Sequence, residues 1–135
     1  MFHLKSVFLQ TCKKLKIDLT EDDRVDSILF SFTLRYVQMS VMREARLELC
    51  YSCRVMAEKF GLTYHVYYSY ESGARMQSMY VFFLIADYFN KMGIDIFSRI
   101  FGKDSFTVEA LVPYVKKAYT LYRKTRKRDY KKKLI

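Results

Sequence analysis

Cys50-x-x-Cys53 is the first spacing in this chain that could do chemistry. On a helix the two thiols would share a face, as a redox pair or half of a zinc site needs. A zinc centre takes two more ligands, and only Cys12, His3 and His65 are spare, so no metal or cofactor is expected and the thiols read as structural. His65 sits in the aromatic stretch from Leu62 to Tyr70 and reads as a packed or exposed side chain rather than a general base. Asp87 interrupts an apolar run; buried, its carboxyl would titrate high, but pairing with a base is the plainer reading. There is no Gly-rich phosphate loop and no Ser/His/Asp spacing, and no enzyme is expected. Arg75 remains, just after Glu71-Ser72-Gly73-Ala74. In the plain reading Glu71 neutralises it. In the functional reading its guanidinium stands at the edge of an apolar groove and takes a partner's carboxylate through two N–H bonds.

These residues need a scaffold, and the composition describes one. The chain has 135 residues, 51% of them hydrophobic and 17% aromatic, which excludes a disordered chain and suits one domain. Three cysteines do not make a disulfide framework, and the chain opens without a signal-peptide pattern. No apolar run is long enough for a membrane span.

The periodicity is helical. Leu4, Val7, Phe8, Cys12 and Leu15 predict an amphipathic helix over 3–16. Thr20-Glu-Asp-Asp23 is a start signal for a second, striped with Val25, Ile28, Leu29, Phe32, Tyr36 and Met39 and ending near 39. Ser40 is expected to cap a third helix carrying Leu47, Cys50, Tyr51 and Val55, with Gly61 as its stop. The stretch 62–70 has strand propensity but no partner strand, so a short helix or turn is expected. From about 73 to 92 the apolar residues go all the way round, which predicts a central helix surrounded by others. A short helix over 94–101 closed by Gly102 comes next, then a last one capped by Asp104-Ser105 with Leu111, Val115, Ala118 and Tyr122 inward and Pro113 near its first turn or kinking it.

The net charge of +10 is concentrated at one end. Residues 116–133 hold ten basic residues against Asp129 alone, while the rest of the chain is nearly neutral. A solvated helix end is the plain reading. Weak attraction to an anionic membrane is the next, and nucleic acid is the less favoured partner.

Five short segments, in order, resemble the B-cell-lymphoma-2 (Bcl-2) apoptosis regulators. Leu4 to Lys16 is similar to the family's first helix, and Phe32-Thr33-Leu34-Arg35-Tyr36 to the Phe-x-Leu-Arg-Tyr of its second. Ser72-Gly73-Ala74-Arg75 stands where the family has Asn-Trp-Gly-Arg. Ser98-Arg99-Ile100 resembles part of the sixth helix, and Leu111-Val112-Pro113-Tyr114-Val115 the Leu-x-Pro-Trp-Ile of the second homology region. The Gly-Asp ahead of Phe-x-Leu-Arg-Tyr and the Gly-Gly-Trp of the second homology region are absent, with Leu29 and Phe30 near the former place.

The resemblance implies an all-α, Bcl-2-like bundle of about seven helices around the central apolar helix, with no sheet, as one domain over 1–128 followed by a basic tail over 129–135. It implies a viral member, such as an iridoviral one, that inhibits apoptosis by sequestering the third homology region (BH-3) helix of host pro-apoptotic proteins. Bim-type ligands are the first choice, and the missing motifs imply a narrower partner range than that of cellular members. Arg75 would pair with the ligand's Asp. Phe32, Tyr36, Tyr51, Val55, Tyr67, Met76, Met79, Tyr80 and Phe83 would line the groove, although Phe83 reads better as core. Self-association through such an aromatic-rich groove is a further expectation. The implied place is the host cytoplasm, with the mitochondrial outer membrane reached through partners or the tail, without an anchor or secretion. Two other readings stand beside this one: a non-enzymatic helical adaptor, and a binder of nucleic acid or anionic surfaces through the basic segment.

Overall fold

The computed structural model describes residues 3–20, 24–103 and 105–134, with side chains through Arg126. The start signal at Glu21–Asp23, the capping Asp104 and the side chains of the basic residues from Lys127 onward lie outside the described residues. Among the described residues the chain is all-α, with no strand: α1 (His3–Lys14), α2 (Val25–Glu48), α3 (Cys53–Lys59), α4 (Tyr64–Glu71), α5 (Met79–Lys91), α6 (Ile96–Phe101) and α7 (Val108–Leu134). Residues 1–36 and 106–135 form one compact unit and residues 37–105 another, and α2 passes from the first into the second.

In the first unit the expected stripes find each other. Leu4, Val7, Phe8 and Cys12 of α1 are buried, as are Val25 and Leu29 of α2 and Leu111, Val115, Ala118 and Tyr122 of α7. α1 packs on α7, and Lys14 reaches Glu109 at 3.6 Å. Two buried hydroxyls are satisfied within their own helices: Thr11 donates to the Val7 carbonyl and Thr33 to that of Leu29, both at 2.7 Å. Burial pushes the Cys12 thiol up to about 11, although nearby Lys5 opposes it, so this sulfur stays protonated and packs as a small apolar group. α7 is capped by Thr107, whose hydroxyl accepts the Ala110 N–H at 3.1 Å; Ser105 instead donates to the carbonyls of Ile100 and Gly102. Pro113 falls inside α7, past its first turn.

In the second unit α3 packs on α4, and α5 on α6. The core holds Val37, Val41, Met42 and Ala45 of α2, with Met56, Tyr67, Phe82, Ile85, Phe89, Ile96 and Ile100. Three expectations are corrected here. The break near residue 39 does not occur: no Gly or Pro interrupts α2, and its buried stripe continues through Val41 and Ala45, so Ser40 lies mid-helix. The third helix instead breaks at Cys50, and Ser52 caps α3. The central helix starts at Met79 rather than near 73, because Ser78 accepts the Val81 N–H as its cap, while Gly73 (φ 79°) and the Arg75 N–H, bonded to the Ser69 carbonyl, belong to the end of α4.

Four helices end alike. Lys16 (φ 58°), Cys50 (60°), Gly61 (66°) and Gly93 (86°) take the left-handed conformation. The next N–H of each, from Ile17, Tyr51, Leu62 and Ile94, returns to a carbonyl of the last turn, at Cys12, Arg46, Ala57 and Phe89. Glycine adopts this backbone freely, whereas a Cβ in it costs roughly 1–2 kcal/mol. Gly61→Ala is therefore expected to destabilise the protein by about 1 kcal/mol through the backbone alone, since nothing lies within 4 Å of the added Cβ. Lys16→Gly is expected to stabilise it by roughly 0.5–1 kcal/mol. Urea denaturation of the two variants checks both signs.

Candidate functional site

α5 carries the site, and it is not the buried rod its composition suggests. Phe82, Ile85 and Phe89, at i, i+3 and i+7, face the core. The opposite face stays uncovered: Met79 is 74% exposed, Tyr80 73%, Phe83 52% and Leu84 46%. An all-round apolar composition says that a helix has apolar surface to bury, not that its own chain buries it. The uncovered residues pair at i, i+4, Met79 with Phe83 and Tyr80 with Leu84, so they form one continuous stripe. Asp87 and Lys91, joined at 3.0 Å, close its C-terminal end. Asp87 is thus an exposed ion-pair partner rather than a buried acid.

Arg75 stands ahead of the other end, exposed in the connection between α4 and α5. Gln77 anchors that connection: it is buried, and its amide N–H meets the Met42 sulfur at 3.2 Å. Glu71 does not neutralise Arg75. The Arg46 Nε donates to both Glu71 carboxylate oxygens, at 2.8 and 3.1 Å, and the Arg46 Nη1 donates to the Tyr51 carbonyl at 2.7 Å. The Arg46 and Glu71 side chains are only 11% and 4% exposed. Burial opposes the charge on Arg46, but the hydrogen-bonded Glu71 carboxylate outweighs it and raises the guanidinium above its ordinary value. With Glu71 engaged in this way, no carboxylate among the described residues forms an ion pair with Arg75.

The structure brings only some of the expected groove residues together. Met79, Tyr80 and Phe83 share the exposed face of α5, and Arg75 and the half-buried Met76 precede them in the connection; Phe83, expected as core, is exposed. Tyr67 is corrected to core: it is fully buried, and its ring stacks on Phe60 with centroids 6.3 Å apart. Burial and then the neighbouring Glu71 carboxylate push its phenol far up, so it remains neutral. Tyr51 and Val55 are half-buried, with Tyr51 under Lys59 at 5.9 Å. Phe32 and Tyr36 belong to the other unit, where Arg35 lies over the Phe32 ring.

Tyr36 lines a different feature. With Lys116, Lys117, Thr120, Leu121 and Lys124 it forms an open depression of about 260 Å³, and the Lys117 ammonium lies 5.9 Å from its ring centre. None of the lining residues is acidic.

The Cys50-x-x-Cys53 pair is not held on one helix. Cys50 is exposed in its left-handed turn and Cys53 opens α3, so the two do not share a helix face. Burial first, then Glu71, raises the Cys53 thiol, which donates to Glu71 at 3.5 Å. Among the described residues no three His, Cys, Asp or Glu side chains gather so as to hold a metal, and no helix is long and apolar enough to cross a membrane.

Protein-family models, curated proteins and solved structures were compared with the chain, and none matches.

Leu84 was legible in principle, since it repeats Tyr80 at i+4. Arg46 had no local signal, because its partner lies 25 residues away. Arg46→Met, which strands the Glu71 carboxylate in the interior, is expected to cost about 3 kcal/mol in thermal or urea unfolding. Adding Glu71→Leu to the same chain is expected to recover most of that loss, because no buried charge then remains.

Proposed function

We propose that the protein is a non-enzymatic inhibitor of apoptosis of the Bcl-2 type that sequesters the BH-3 helix of pro-apoptotic proteins, Bim-type ligands first. The observation that carries this reading is the exposed stripe Met79, Tyr80, Phe83 and Leu84 on a helix preceded in sequence by an exposed arginine that forms no ion pair with a carboxylate among the described residues. An amphipathic ligand helix presents apolar residues at i, i+3, i+4 and i+7, which this stripe can cover, and an acidic residue that Arg75 can take in a bidentate pair. The thirteen residues of α5 run about 20 Å, enough for three to four turns of a ligand helix laid alongside. Each large side chain fully covered contributes roughly 1.5–3 kcal/mol, and the ion pair adds orientation.

The proposed binding surface is smaller than the groove drawn from the family resemblance. It rests on the α5 face and Arg75, with Met76 at its margin. Tyr67 is core of the same unit, and Phe32 and Tyr36 belong to the first unit.

Calorimetric titration of the purified protein, sized beforehand, with a panel of BH-3 peptides tests this directly. Tight binding of at least one peptide is expected. Arg75→Glu, with its helical circular dichroism unchanged, is expected to weaken it by about thirtyfold or more. Binding by no peptide to a monomeric sample would refute the helix-binding reading, and binding indifferent to Arg75→Glu would remove Arg75 from it.

A further inference from the structure

The lysine-lined depression of the first unit has no role in helix binding, and its chemistry is of a different kind. Lys116, Lys117 and Lys124 place three ammonium groups around one concavity, with no carboxylate among its lining residues. Lys116, Thr120 and Lys124 succeed one another at i, i+4 and i+8, so a single face of α7 presents them. The Thr120 hydroxyl donates to the Lys116 carbonyl at 3.0 Å, which fixes its orientation within the helix. Tyr36 and Leu121 supply the apolar part of the wall.

We infer that this depression binds the phosphate-bearing headgroup of an anionic phospholipid. Charge complementarity selects an anion, and the dimensions select its kind. About 260 Å³ is room for one headgroup, whereas a nucleic acid strand needs a groove that tracks several successive phosphates. A tyrosine beside lysines matches the level of a membrane interface, where aromatic rings with a polar tip collect. The inward face of α7, with Leu111, Val115, Ala118 and Tyr122, is already buried in its own unit. Contact with the membrane is therefore adsorption through headgroups and not insertion of α7. The site is independent of the α5 face, and the failure of either leaves the other standing.

Co-sedimentation with lipid vesicles tests the inference, using phosphatidylcholine alone and phosphatidylcholine doped with phosphatidylserine. The full chain is expected to bind only the doped vesicles. The triple variant Lys116→Gln, Lys117→Gln, Lys124→Gln is expected to bind them on the order of a hundredfold more weakly, at about fivefold per lysine. A charge-matched control, Lys131→Gln, Lys132→Gln, Lys133→Gln, is expected to lose at least about tenfold less. Should the site triple fail to keep its helical circular dichroism, Lys124→Gln alone is read instead, with an expected loss of about fivefold. Equal losses from the site and control triples would show diffuse attraction and overturn the site. Lack of binding to doped vesicles would overturn the inference, as would capture of a single-stranded oligonucleotide in place of them.

Discussion

The ion pair between Arg46 and Glu71 is the constraint on which the second unit depends. Taking two charges out of water costs several kcal/mol per ion, and only good geometry with further hydrogen bonds offsets it. Here the geometry is good: one carboxylate receives two bonds from the Arg46 Nε and a third from the Cys53 thiol, while the same guanidinium holds the Tyr51 carbonyl. The end of α2, the turn after it, the start of α3 and the end of α4 are all tied to this pair. It stabilises the unit little compared with a well-packed apolar substitute, but it fixes one arrangement, because any other would strand a charge. It also decides what happens at the surface. Because Glu71 is committed to Arg46, it does not pair with Arg75.

The helices were legible wherever a stripe repeated and its cover lay in the same unit. Leu4, Val7, Phe8 and Cys12 of α1, and Leu111, Val115, Ala118 and Tyr122 of α7, were readable because each stripe is narrow and its opposite face polar. Over 62–70 a lone strand could be set aside because it would leave its backbone unpaired, which left a short helix or turn, and the chain forms α4 (Tyr64–Glu71) there. The break expected within α2 is absent because serine signals a cap only where the chain leaves the helix, and Ser40 does not leave it. The true break at Cys50 was not legible, because a residue with a Cβ in the left-handed region gives no sign in its type. The α5 expectation failed most instructively. Phe83 and Phe82 are alike in composition, and only the fold decides that one faces the core and the other water.

The α5 face of the second unit and the α7 depression of the first differ in chemistry. The uncovered face of α5 offers large side chains on a rigid helix, with an arginine ahead of one end and an Asp87–Lys91 pair near the other. The lysines of α7 offer a concentrated positive field around a small concavity. In the roles proposed for them, the first surface would discriminate by shape and by one charge, the second by charge and by the size of its concavity. The basic segment cannot simply be cut away to separate the two, because Ala118 and Tyr122 are core residues of α7 and truncation at Lys116 would remove them. Neutralising substitutions on the solvent side leave that core in place.

The central claim is that a partner helix docks on α5. Methyl NMR of the protein titrated with a BH-3 peptide tests it most directly, with the Met79 and Leu84 methyls as reporters on the exposed face and the Ile85 and Ile100 methyls as reporters in the core. The account predicts large shifts at Met79 and Leu84 on binding and much smaller ones at Ile85 and Ile100. Shifts that leave Met79 and Leu84 unmoved while the peptide binds would contradict it.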